Sequence, residues 1–211
     1  MKLRKTAVMI LVLAFAISLV GCSADKVSGA EHYDKAHYVS VYKGDLDSNL
    51  SVFPDTVANV SDSDFISSMS VNLFDTDGYI ILVSKLSPSE IAAEVERLQG
   101  LSMTIQNGDG ATYTNNILYD EESYHYPAYV ANDGFGSTHE YALIDEAGGR
   151  IIYVYTAYID PNQFEYREYL KKDLSAYEKD STDSFTMYNH TFDGGQSYAE
   201  FDDIISDSDG Q

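Results

Sequence analysis

Histidines and carboxylates supply most metal-binding and acid–base chemistry, and this chain holds five His and 34 Asp+Glu. His139-Glu140 opens like the helical His-Glu-x-x-His pattern, where two histidines a turn apart grip zinc and the glutamate serves as base. Position 143 is Leu, so the second ligand is missing, and the flanking residues read as a strand. His32, His37, His125 and His190 lack metal-ligand spacing and read as surface or hairpin residues. Ser40-Val41-Tyr42-Lys43 matches Ser-x-x-Lys by letter. It falls in an expected strand, and no Lys-Thr-Gly completes such a nucleophilic site. With no Gly-x-Ser-x-Gly elbow or phosphate-cradling glycine loop either, no catalytic residue is assigned.

Acidic clusters raise the question of calcium. Asp75-Thr76-Asp77-Gly78 sets carboxylates at alternate positions before a glycine, as a calcium loop does. The first ligand would then be Leu73 and the twelfth Ser84, so the stretch reads better as a hairpin turn. Asp207-Ser208-Asp209-Gly210 reaches the end of the sequence before such a loop is complete. Asp120-Glu121-Glu122, and Asp202-Asp203 with Glu200, would hold calcium only if the fold brings other oxygens to them. The expectation is no metal and no cofactor, with calcium the one ion the carboxylates suit.

Tyrosine is the other signal, with 18 Tyr and no Trp. Tyr113, Tyr119, Tyr124, Tyr126 and Tyr129 gather around Tyr124-His125-Tyr126-Pro127. A tyrosine joins a large apolar ring to a polar tip at little rotamer cost, which suits recognition of proteins or sugars. Strand propensity enriches Tyr as well, so both readings stand for residues 113–129.

The elements that must position these residues are mainly strands. Residues 37–43, 70–74, 79–86, 111–119, 128–131, 140–144 and 150–159 carry β-branched or aromatic side chains between turn residues. Asp75–Gly78, Asn107–Gly110 and Ala147–Gly149 supply the glycines that tight hairpins use. Ser87-Pro88-Ser89-Glu90 is a capping box with proline at the first helical position, followed by an Ile91, Val95, Leu98 stripe and Gly100. Asp160-Pro161-Asn162-Gln163 opens a second expected helix, with Tyr166, Leu170, Leu174 and Tyr177 as its stripe to near Lys179. The runs from Gly78 to Pro88 and from Gly149 to Pro161 read alike, which duplication or ordinary α+β construction would each explain. A last hairpin pairs 184–191 with 197–201. The class is α+β, a mainly antiparallel sheet with two amphipathic helices in a single domain.

Residues 150–159 and 79–83 are apolar on both strand faces, so both need cover. Tyr-rich loops, a second sheet or a partner would each supply it.

Thr191-Phe192-Asp193-Gly194-Gly195-Gln196-Ser197-Tyr198 resembles the Asp-box of sialidase-type repeats. The resemblance implies that Asp193 organises a hairpin turn, Gly195 takes the turn conformation and Tyr198 packs beneath it. A propeller needs several such boxes at regular intervals, and this chain has one. The motif supports a turn rather than an activity.

The first 22 residues address the protein. Lys2, Arg4 and Lys5 precede an uncharged run from Thr6 to Ala24, as in a secretory signal. Leu19-Val20-Gly21-Cys22 resembles the lipobox of bacterial lipoproteins. That implies cleavage between Gly21 and Cys22 and a diacylglyceryl thioether on Cys22, the sole cysteine. An uncleaved anchor is the alternative, since about 20 apolar residues span a bilayer. The expected organisation is a signal peptide over 1–21, a lipidated tether over 22–36, the α+β domain over 37–203 and an acidic tail over 204–211.

Without residues 1–21 the chain has 190 residues, ten Lys+Arg and 34 Asp+Glu, for a formal charge of −24. That charge repels nucleic acid and anionic headgroups. With no second cysteine, thiol chemistry is excluded. The sequence therefore reads as a protein held by lipid on the outer side of the cell membrane. The expected role is binding of an envelope protein or glycan through its tyrosines. The alternative is a glycan-directed envelope hydrolase using paired carboxylates.

Overall fold

The structure is a computed structural model, and it describes residues 25–41, 50–71, 76–106, 112–133, 138–177, 186–191 and 195–200. Its centre is a seven-stranded sheet of β1 (Asp25–Ser28), β2 (Asp64–Val71), β3 (Thr76–Lys85), β6 (Leu118–Asp120), β7 (Ala128–Asp133), β8 (Thr138–Asp145) and β9 (Arg150–Ala157). The order is β1-β2-β3-β9-β8-β7-β6, and every pairing is antiparallel. Two further ladders stand apart, β4 (Ser102–Gln106) with β5 (Thr112–Asn116) and β10 (Thr186–Thr191) with β11 (Gly195–Glu200). The α+β class and antiparallel sheet agree with the sequence reading.

Helix α2 (Pro88–Gln99) starts where its capping box indicates. Glu90 Oε2 accepts from the Ser87 backbone N–H at 2.7 Å, and Ser87 Oγ accepts from the Glu90 N–H at 3.4 Å. Ile91 and Leu98 turn inward and are buried.

Three expectations fail locally. Residues 37–43 read as a strand, yet Lys35–Val41 form helix α1. The Asp34 carboxylate accepts from the His37 N–H at 3.0 Å, and Tyr38 packs edge-on to Phe65 at 5.7 Å with its hydroxyl 2.5 Å from Ser67 Oγ. Tertiary burial of one ring outweighs the strand propensity of Val39 and Val41. The stretch read as a tether over 22–36 contains β1, which pairs with β2 from Asp25↔Met69 to Ser28↔Ile66. The helix expected from Asp160 is instead a strap of turns with 3-10 segments at Arg167–Tyr169 and Leu174–Tyr177. Its backbone bonds across to a neighbouring loop, through the Tyr124↔Lys171 bridge and Lys172 N–H to Ser123 O at 2.8 Å. Those partners replace the i→i−4 ladder a helix would have made.

Both faces of the sheet are apolar and both are covered. On one, Phe65, Ile80, Leu82, Ile144, Ile151 and Tyr153 pack under α2, α1 and residues 50–53. On the other, Ile81, Val130, Tyr141, Leu143, Ile152 and Val154 pack under Phe164, Tyr169, Leu170 and Tyr177 of the strap. Of the covers the sequence left open, Tyr-rich loops supply the second face.

Two glycines are dictated by backbone. Gly149 sits at φ 61 in the Glu146–Gly149 turn that joins β8 to β9. Gly78, at φ 140 within β3, lies where an added Cβ would meet Ser68 O at 2.0 Å. Gly78→Ala is expected to lower the unfolding free energy by about 2–3 kcal/mol, read by urea denaturation. An unchanged midpoint would mean that β2 and β3 part there without cost.

Candidate functional site

Polar chemistry gathers in three places on this fold. The first lies under residues 50–54. Glu140 points from β8 into the apolar core with no exposure, and its Oε1 accepts from the Val52 N–H at 2.7 Å. The same loop is tied by Arg97 Nη2 to Val52 O at 2.5 Å, by Lys35 Nζ to Phe53 O at 2.8 Å, and by the Tyr33 hydroxyl to Pro54 O. Leu50, buried at its start, holds a left-handed φ of 52, uncommon for a side-chain-bearing residue. Burial pushes the Glu140 carboxyl up to about 7, against Val52, Lys35 and Ser51, which favour its charge.

The second place lies under the strap. Lys171 Nζ meets Asp133 Oδ1 at 2.5 Å with both side chains largely buried, and Lys171 also stands 5.7 Å from the Tyr124 ring centroid. His139 packs against the Tyr177 ring, tilted by 38° with centroids 4.3 Å apart, and burial pushes its imidazole down to about 4. The Tyr141 hydroxyl donates to Tyr169 O at 2.9 Å and lies 3.0 Å from the Tyr177 hydroxyl. These groups are sealed between sheet and strap.

The third is open to solvent. Val95 of α2 and Tyr119, Tyr126, Pro127, Tyr129 and Ile144 line a cavity of about 520 Å³, whose wall also includes Asp145, Glu146 and Ala147 at the end of β8. It adjoins a second, of about 460 Å³, that shares Val95 and Glu146 and runs beside Pro88, Ile91 and Ala92. The sheet makes this groove: Tyr119 pairs with Tyr129 across β6 and β7, so both rings project on the face that α2 covers, 5.0 Å apart. Tyr119 donates to Glu121 Oε1 at 2.7 Å, Gln99 Nε2 donates to the Tyr129 hydroxyl at 3.1 Å, and Arg150 Nη2 lies 3.4 Å from the Tyr126 hydroxyl. Asp145 accepts from Arg150 Nε at 2.7 Å and from the Gly148 N–H at 2.7 Å. Burial works against the Asp145 charge, but Arg150 and Gly148 hold its carboxyl below the usual range.

Three of the five tyrosines singled out by sequence, Tyr119, Tyr126 and Tyr129, thus meet in the groove. Tyr124 is buried on the opposite face, and Tyr113 lies in β5 facing Ile105 in register. Alternation does not sort them: Tyr126 shares parity with Tyr124 and packs against the strap-side cluster as well as lining the groove. The missed members are Val95, Ile144, Gln99 and Glu146; nothing in sequence tells which strand face α2 will cover. Glu140 did leave a signal, as a charge directly before the apolar run Tyr141–Ile144.

Among the described residues no group of three or more His, Cys, Asp or Glu is arranged to hold a metal, and no helix is long and apolar enough to cross a membrane. Of the acidic clusters, Asp120 instead accepts from the Glu122 and Ser123 N–H groups, both at 2.9 Å. Asp75, Asp202, Asp203 and residues 207–210 lie outside the described residues, as do Gly21 and Cys22. At the Asp-box-like stretch Thr191 pairs with Gly195 and Tyr198 with Tyr188 in the expected hairpin, while Asp193 falls outside the described residues. Comparison with known protein families, curated proteins and solved structures finds no match.

Two of the buried titratable groups, Glu140 and His139, oppose each other. Glu140 is raised from an ordinary 4.5 to about 7, so it favours the native state below pH 4.5 and loses that contribution as pH rises through 7. His139 is depressed from an ordinary 6.5 to about 4, so it favours the native state above pH 6.5 and loses that as pH falls toward 4. Each contribution is on the order of 3 kcal/mol. Glu140→Gln should therefore give a stability that rises steeply with pH across this window, and His139→Gln one that falls, with the wild type flatter than both. Chemical denaturation at stepped pH measures this; a Glu140→Gln profile parallel to wild type would mean that Glu140 stays ionised throughout.

Proposed function

We propose that this chain, folded as one domain, is a lipid-anchored binding module on the outer side of a bacterial cell membrane that recognises an envelope protein or glycan in the tyrosine-lined groove. The observation that carries the reading is the groove itself: an open, mainly apolar trough with a few fixed polar groups has the make-up of a recognition site. Catalysis of glycoside cleavage would instead need two facing carboxyl groups about 5–10 Å apart, one of them able to stay protonated near neutral pH. Asp145, in the groove, is held ionised by Arg150, and Glu140, the carboxyl raised toward neutrality, is sealed beneath residues 50–54.

The position of the anchor supports this reading. Ser23 and Ala24 alone separate Cys22 from β1, a link of at most about 11 Å when extended. Strand β1 is one edge of the sheet and β6 the other, roughly 29 Å away across six strand spacings. Along the strands, Asp25 is level with Met69, Gly78 and Ala157, whereas the groove adjoins the Asp145↔Arg150 end of the ladder. That end is roughly 23 Å distant. A lipid on Cys22 would hold one corner of the sheet at the bilayer and turn the diagonally opposite corner, with the groove, outward.

Two substitutions test the reading in the full chain. Cys22→Ala should release the protein from the membrane fraction after processing; continued membrane fractionation would favour an uncleaved anchor. Ala147→Trp, a substitution on the exposed turn that fills the groove, should abolish cross-linking to the wild-type partner in whole cells. Undiminished cross-linking would remove the groove from the site.

A further inference from the structure

The groove is charged as well as aromatic, and the charged residues of its lining are acidic. Its acidic lining residues are Asp145 and Glu146. Asp145 is neutralised by Arg150, which leaves Glu146, exposed and shared by both cavities. Glu121, also exposed, accepts the Tyr119 hydroxyl proton. Among the described residues neither Glu121 nor Glu146 has a cationic partner. Both act on the same ring. Burial first, then the Glu121 bond and the Glu121 and Glu146 charges, push the Tyr119 phenol well above its ordinary value.

Resting on the groove-binding reading above, the geometry points to a basic, extended segment of a partner protein as the ligand, with a Lys or Arg cation seated against the Tyr119 ring between Glu121 and Glu146. An aromatic face attracts a cation through its quadrupole, and two flanking carboxylates without cations of their own add a direct charge interaction. An anionic ligand meets the opposite field, which the chain's formal charge of −21 reinforces. The two adjoining cavities continue along α2 past Val95, Ile91 and Pro88. That length suits several residues of chain, with apolar side chains following the cation, rather than a single small ion. A segment of this kind docks with its backbone extended and its alternate side chains in the trough.

The test uses the full chain in lipid nanodiscs, panned against phage displaying random peptides, with Ala147→Trp as the blocked control. The expected result is a set of peptides lost on Ala147→Trp, rich in Lys or Arg beside apolar residues. Replacing the basic residue of a selected peptide by its uncharged isostere should weaken binding roughly tenfold. Glu121→Gln and Glu146→Gln should each weaken it roughly threefold and flatten its salt dependence. Groove-dependent peptides that are neutral or acidic, or an isostere that binds as well as the cation, would overturn the cationic ligand and leave the groove reading standing. Envelope glycan fragments that bind in place of peptides and are lost on Ala147→Trp would do the same. Peptides that bind Ala147→Trp as tightly as wild type would overturn both.

Discussion

Three adjacent strands that are apolar on both faces set the terms for this protein. Strands β3, β9 and β8 alternate Ile80, Leu82, Tyr153 and Ile144 toward one side with Ile81, Val154, Tyr141 and Leu143 toward the other. A sheet of that kind is unstable in water until both faces are covered, because each exposed aliphatic side chain forfeits about 1.5–3 kcal/mol of burial. Helix α2 with residues 50–53 covers one face and the strap over 160–177 covers the other. The remaining features are consequences of how these two covers are fastened.

Both fastenings use polar groups that would be costly alone. The loop over the first face is pinned by Glu140, Arg97, Lys35 and Tyr33, each bonded to one of its backbone groups. The strap over the second is pinned by Lys171 on Asp133 and by hydroxyls of Tyr141 and Tyr177. A buried charge is tolerated when it is paired or neutral. Asp133 is paired, whereas Glu140 and His139 are shifted toward their uncharged forms. Hydrogen bonds give these irregular covers a fixed register on the sheet, which apolar contact by itself would leave free to slide.

The groove follows from the same arrangement at its margin. Helix α2 covers Tyr129 and Ile144 but leaves Tyr119, near the β6 edge, only partly roofed. The hydroxyls of Tyr129 and Tyr119 are held by Gln99 and Glu121, so the two rings, on β7 and β6, stay 5.0 Å apart with their planes tilted by 44°. A site preformed by secondary structure loses little freedom on binding, which is what a recognition surface needs. Its acidity comes from Glu121 and Glu146, both at chain reversals where solvent stabilises them until a partner arrives.

Sequence alone determined what is local. The Ser87–Glu90 cap, the Gly149 turn, the last hairpin and the two-faced strands were legible because each depends on neighbouring residues or on a period of two. Helix α1, the strand within the supposed tether and the irregular strap were decided by tertiary structure. In each, partners distant in sequence, Phe65 for Tyr38, β2 for β1 and Ser123 for Lys172, offered more than local propensity did. The site divides the same way. Periodicity flags a tyrosine-rich segment, but only the placement of α2 over one face of β6 and β7 separates Tyr119 and Tyr129 from Tyr124 and joins them to Val95 and Glu146. Burial is a property of what lies above a residue, and the chain's own alternation does not encode which element that will be.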